Sequence, residues 1–142
     1  MEVNYFAICQ KRYMSNNVEI VENFLDIKSF LEVKKFIMSP RCQWRYVDFI
    51  AHKDGRDQDK DGYFIHSFKD CHPETFVDRF PESPNYSVMS KLMNKIKEKV
   101  KYQNILRIRS SLYPRRDTQK PDPFHVDYDF SHKVCIFYLN TN

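Results

Sequence analysis

The chain holds only two glycines, Gly55 and Gly62, in 142 residues, where ordinary usage of about 7% would supply about ten. Glycine-rich phosphate loops and dinucleotide fingerprints need several glycines at fixed spacing, because their backbone turns through left-handed conformations and approaches a phosphate closely. Two glycines seven residues apart can write neither motif, so nucleotide chemistry by those routes is excluded. Flexible Gly/Ser linkers are excluded on the same ground. With no repeat and no low-complexity tract, residues 1–142 read as one domain.

The 42% apolar and 15% aromatic content is enough for a buried core, and a mean hydropathy of −0.67 predicts a soluble protein. Against 19 acidic residues stand 23 basic ones, a formal charge of +4 that permits an anionic ligand without demanding nucleic acid. No two of Cys9, Cys42, Cys71 and Cys135 form a C-x-x-C pair, so they read as reduced, mostly buried thiols. No stretch approaches the roughly 20 apolar residues of a membrane span. Met1 to Arg12 lacks the pattern of a secretory signal, and a cytoplasmic location is the expectation.

Period and punctuation predict the elements. Val18 to Val21 reads as a short strand, and Asp26 as the N-cap of a helix carrying Ile27, Phe30, Leu31 and Ile37, closed by Pro40. Trp44 to Ile50 and Tyr63 to Phe68 are aromatic and β-branched runs that suit a hairpin-like pair around the polar loop His52 to Gly62. Ser87 to Lys101 is the clearest helix, with Met89, Leu92, Met93, Ile96 and Val100 on one side. In Leu106 to Tyr113, apolar Leu106, Ile108 and Leu112 alternate with Arg107, Arg109 and Tyr113. A turn over Pro114 to Pro123 then leads to expected strands at Phe124 to Asp129 and Val134 to Leu139. Helices early and closely spaced strands later indicate an α+β domain with an antiparallel C-terminal portion.

Two constellations read as solvated surface. Asp57-Gln58-Asp59-Lys60-Asp61-Gly62 matches the first half of a calcium loop, but the closing bidentate position is Phe68. The lysines of the second helix, with Arg115 and Arg116, could neutralise phosphates, yet no stacking platform or groove-reading motif accompanies them. Nucleic acid is therefore not the expected partner.

His125-Val126-Asp127 is the sharpest local signal. On a strand, residues i and i+2 share a face, so an imidazole and a carboxylate so spaced can occupy adjacent positions around one metal ion. Around this triplet, Leu112-Tyr113-Pro114, Phe124-His125-Val126-Asp127 and Ile136-Phe137-Tyr138-Leu139-Asn140 strongly resemble the 2-oxoglutarate- and Fe(II)-dependent oxygenases of the prolyl-hydroxylase-like group, above all short bacteriophage members. Ile20 to Asp26 resembles that group's approach to its first helix.

The resemblance implies a double-stranded β-helix, a cupin-like jelly-roll, with N-terminal helices packed on its first part. It implies that His125 and Asp127 are iron ligands and that Tyr113 and Tyr138 hold 2-oxoglutarate. It further implies O2 as co-substrate, ascorbate as an accessory reductant, a peptidyl or other macromolecular substrate, and the host cytoplasm as location. Arg107 or Arg109, of which Arg109 is taken as the candidate, is placed to clamp the co-substrate carboxylate by position on the polar strand face. The family's downstream histidine ligand and basic residue have no counterpart here, because the only histidine after Asp127 is the nearby His132. The expectation is thus the N-terminal part of an oxygenase domain, inactive by itself, with its C-terminal strands missing. The alternatives are a non-catalytic jelly-roll interaction or virion module, and a nucleic-acid-directed protein.

Overall fold

The computed structural model describes residues 5–12, 15–48, 62–79, 82–115 and 127–140, and among these residues the architecture is mixed α+β, with two α-helices and two three-stranded antiparallel sheets. Its contacts divide the chain into two compact units, Met1–Phe36 with Val88–Val100 and Val126–Asn142, and Ile37–Ser87 with Lys101–His125.

In the first unit, β1 (Tyr5–Arg12) and β2 (Ser15–Glu22) form an antiparallel hairpin, with Ala7 opposite Ile20 and Cys9 opposite Val18. β2 extends the strand expected at Val18 to Val21, whereas β1 has no counterpart in the sequence reading. Asn23 turns the chain at a left-handed φ of 50°, a conformation asparagine tolerates better than most residues. Helix α1 (Ile27–Ile37) then begins at the expected cap. The Ser29 backbone N–H donates to Asp26 Oδ1 at 3.0 Å, and the Ser29 hydroxyl donates to Oδ2 at 2.6 Å. One of the free N–H groups of the first turn is satisfied in this way. Hydrogen bonds from the Ser29 hydroxyl and N–H hold the Asp26 carboxyl below the usual carboxylate range.

The second helix starts later than expected. Tyr86–Met89 is a tight 3-10 turn, and α2 runs over Ser90–Lys99 before Val100 becomes extended. Met89, Leu92, Ile96 and Val100 are buried, as their spacing predicts. Three of its lysines are ion-paired: Lys91 to Glu32 at 2.6 Å, Lys99 to Glu19 at 2.6 Å and Lys95 to Glu98 at 3.6 Å. Strand β6 (His132–Phe137), the last in chain order, starts two residues before the strand expected at Val134 and pairs with β1, giving the order β2-β1-β6. Phe137 meets Phe30 of α1 edge to face, with ring centres 6.1 Å apart.

In the second unit, β3 (Arg45–Val47) and β4 (Tyr63–Asp70) pair antiparallel, as the two aromatic runs predict, and β5 (Arg107–Leu112) completes the order β3-β4-β5. A register shift between Ser67 and Lys69 breaks the ladder to β5 beside Phe68, which is 0% exposed. Buried His66 has both ring nitrogens engaged: Nδ1 lies 2.9 Å from the Gln43 carbonyl and Nε2 lies 3.3 Å from the Ser83 hydroxyl. Burial of the imidazole is thereby compensated, and β4 is tied to two loops.

One expectation is corrected. Asp127 to Asp129 forms bends rather than the second half of a strand, while the first half, residues 124–126, lies outside the described residues. A local aromatic cluster accounts for the bend: the Tyr128 ring stacks on Phe130 at 5.1 Å and meets His132 edge-on at 5.3 Å. The His132 Nδ1–H donates to the Phe130 carbonyl at 2.7 Å, which an extended strand would not bring about. The calcium-like segment 57–61 and Arg116 also lie outside the described residues, whereas Arg115 is exposed. Cys42, Cys71 and Cys135 are free thiols, the first two buried. Among the described residues no helix is long and apolar enough to cross a membrane.

Two outcomes follow from this packing. Phe68→Ala removes a ring with no exposed surface and is expected to destabilise the protein by about 3–5 kcal/mol, whereas Lys97→Ala changes stability by less than about 0.5 kcal/mol, both read by urea denaturation. Because the folded-state pKa of Asp26 is depressed, its stabilising effect is full above the ordinary carboxylate range and is lost as pH falls through the lowered value. The melting-temperature gap between wild type and Asp26→Ala should accordingly be widest near neutral pH and close on acidification.

Candidate functional site

Antiparallel pairing of β4 with β5 places Ile65 opposite Ser111 and Ser67 opposite Arg109. Side chains alternate along a strand, so Tyr63, Ile65 and Ser67 share a face with Arg109, Ser111 and, one residue past the strand, Tyr113. Two expected co-substrate residues therefore meet the same ring. Tyr113 stacks on Tyr63 with centroids 5.0 Å apart and planes 3° from parallel, and the Arg109 guanidinium carbon lies 6.0 Å from the Tyr63 centroid. Tyr63 is 3% exposed and Tyr113 48% exposed, so a buried ring carries an accessible one.

This face has the chemistry of an anion site. A guanidinium offers a planar fork of N–H donors matched to a carboxylate, and the phenol and the Ser111 hydroxyl add single donors. Stacking against rings restricts both Arg109 and Tyr113 before a ligand arrives, which lowers the cost of ordering them. The ring beneath them was not singled out by the sequence reading. Tyr63 opens an aromatic strand, and its signal became visible only with the register that sets it across from Tyr113.

The other expected site residues are placed differently. Asp127 is half-buried in the bend before β6, and His125 lies outside the described residues. Tyr138 is exposed, one residue beyond β6; by alternation it shares a face with Ile136 rather than with Phe137, which meets α1. Tyr113 and Arg109 belong to the second unit, Asp127 and Tyr138 to the first.

An iron centre of the 2-His-1-carboxylate kind needs three such donors. Among the described residues no three His, Cys, Asp or Glu side chains gather to hold a metal. His132 Nε2 is buried without a hydrogen-bond partner, and it belongs to no group of three such side chains among the described residues. Of the described donors, Arg109, Ser111 and Tyr113 suit a carboxylate group.

Elsewhere in the second unit, a cleft of about 260 Å³ is lined by Lys69, Cys71, Phe76, Tyr102 and Gln103, among others, and includes none of the expected site residues. At its wall the Cys71 thiol donates to Asp78 Oδ1 at 2.9 Å, and Lys69 Nζ donates to the same oxygen at 2.9 Å. Burial, then the Asp78 hydrogen bond, pushes the Cys71 thiol up, which keeps it protonated and a poor nucleophile.

The chain matches no protein-family model, no curated protein and no solved structure. The local packing of the site is testable without reference to any of them. Gly62 precedes Tyr63, and a Cβ there would overlap the phenol of Tyr46, whose ring packs on Phe64 at 5.3 Å. Gly62→Ala should cost about 1–3 kcal/mol in a thermal or urea melt, and the penalty should largely vanish in a Tyr46→Ala background.

Proposed function

We propose that the protein is a 2-oxoglutarate- and Fe(II)-dependent oxygenase of the prolyl-hydroxylase-like type, acting on a peptidyl or other macromolecular substrate. The observation that carries this reading is the meeting of Arg109 and Tyr113 at Tyr63 on one sheet face. Tyr113, chosen by resemblance, and Arg109, chosen by its place on the same polar strand face, both contact that ring. In this reading Arg109 pairs with a carboxylate of 2-oxoglutarate and the Tyr113 hydroxyl donates to it. The jelly-roll implied by the family resemblance is part of the same proposal, and the two antiparallel sheets are compatible with it. Iron ligation by His125 and Asp127 rests on the resemblance of the His125-Val126-Asp127 triplet and its surroundings.

A second reading, a non-catalytic interaction or structural module, is favoured by one observation. On the first sheet, Val18, Ile20, Ile136 and Tyr138 are exposed, Ile20 at 68%, and the strand registers put Val18, Ile20 and Ile136 on one face. Such a row suits a covering partner.

Calorimetric titration with 2-oxoglutarate under anaerobic conditions, followed by a succinate assay with Fe(II) and O2, separates the two. The oxygenase reading expects saturable 2-oxoglutarate binding, weakened about 10- to 100-fold by Arg109→Ala, the cost of a lost charge-assisted pair. Any succinate formation should disappear in His125→Ala and in Asp127→Ala. Absence of 2-oxoglutarate binding to the wild-type protein contradicts the oxygenase reading and leaves the interaction module.

A further inference from the structure

We infer that Tyr63 is a positioning residue for the carboxylate-binding pair, an inference that rests on the proposed oxygenase reading. Three observations converge on it. Tyr63 is 3% exposed, so it offers a ligand almost no surface, and a direct binding role is excluded by access. Its ring is nonetheless the common contact of Tyr113, 5.0 Å away and parallel within 3°, and of the Arg109 guanidinium at 6.0 Å. It opens β4 at the position facing Tyr113 in the register of Phe64 with Leu112.

The physical consequence is preorganisation. Arg109 is a long side chain on an exposed stretch of β5, and without a neighbour it would sample many rotamers. A π face attracts its guanidinium, and a parallel phenol on the same ring restrains the Tyr113 χ angles. Tyr63 thereby fixes two donors that approach from different points of one strand. The part required is the ring and not the hydroxyl, since both contacts are made to the ring.

Two substitutions distinguish this from plain core packing. Tyr63→Phe keeps the ring, whereas Tyr63→Leu fills much of the space without a π face. Titration of the intact chain with 2-oxoglutarate should give a Kd within about twofold of wild type for Tyr63→Phe and about tenfold weaker for Tyr63→Leu. Near-ultraviolet circular dichroism supplies the spectroscopic readout, since the tyrosine band from the stacked pair should persist in Tyr63→Phe in altered form and collapse in Tyr63→Leu toward that of Tyr113→Leu. A far-ultraviolet spectrum matching wild type establishes that the leucine variant is folded. If that variant is unfolded, Tyr63→Met takes its place and carries the same expectation. Wild-type affinity in the folded ring-less variant overturns the positioning role, as does an equal loss in Tyr63→Phe. A wild-type protein that binds no 2-oxoglutarate fails at the earlier step and overturns the oxygenase reading itself.

Discussion

Antiparallel pairing of β4 with β5 is the constraint on which the functional reading depends. The ladder runs from Asp70 opposite Arg107 to Phe64 opposite Leu112, and its one irregularity falls between Ser67 and Lys69. Because side chains alternate strictly, a slip of one residue would turn Tyr63 away from Tyr113 and send Arg109 to the opposite face. Several features hold the register. Phe68 is wholly buried beside the bulge, Ile108 and Ile65 are buried, and His66 ties the strand to Gln43 and Ser83. A hydrophobic pattern thus fixes which polar groups share a face, and the site's chemistry follows from packing.

The helices serve the other sheet in a comparable way. Asp26 satisfies the start of α1, Phe30 reaches Phe137, and Lys91 and Lys99 of α2 pair with Glu32 and Glu19. The exposed ion pairs add little stability individually. They do engage three lysines of a face that composition alone would offer to phosphates, so a mild net charge is not a guide to partners here. The same caution applies to the thiols: Cys42, Cys71 and Cys135 are all pushed up by burial first, which suits packing roles rather than redox chemistry.

Sequence reasoning reached the elements whose signals are local. The Asp26 cap, the buried spacing of Leu92 and Ile96, and the pairing of the aromatic runs around Tyr46 and Phe64 are all written in neighbouring stretches of chain. It missed β1, whose Tyr5–Arg12 run has no clean alternation, and it could not see that β1 would pair with β6, far away in sequence. It extended a strand through Asp127, where rings at Tyr128, Phe130 and His132 bend the chain instead. For the candidate site, Arg109 and Tyr113 were legible from alternation and resemblance. Tyr63 was not, because a ring becomes a platform only through a non-local register.

The most direct test of the central claim is residue-resolved NMR of the intact chain during titration with 2-oxoglutarate, following the Arg109 Nε–H and the Tyr113 ring protons. The account predicts saturable shifts at both, reversed by excess succinate, with the lysines of α2 unmoved. Shifts confined to the α2 lysines, or none at Arg109 and Tyr113 up to millimolar ligand, would contradict it.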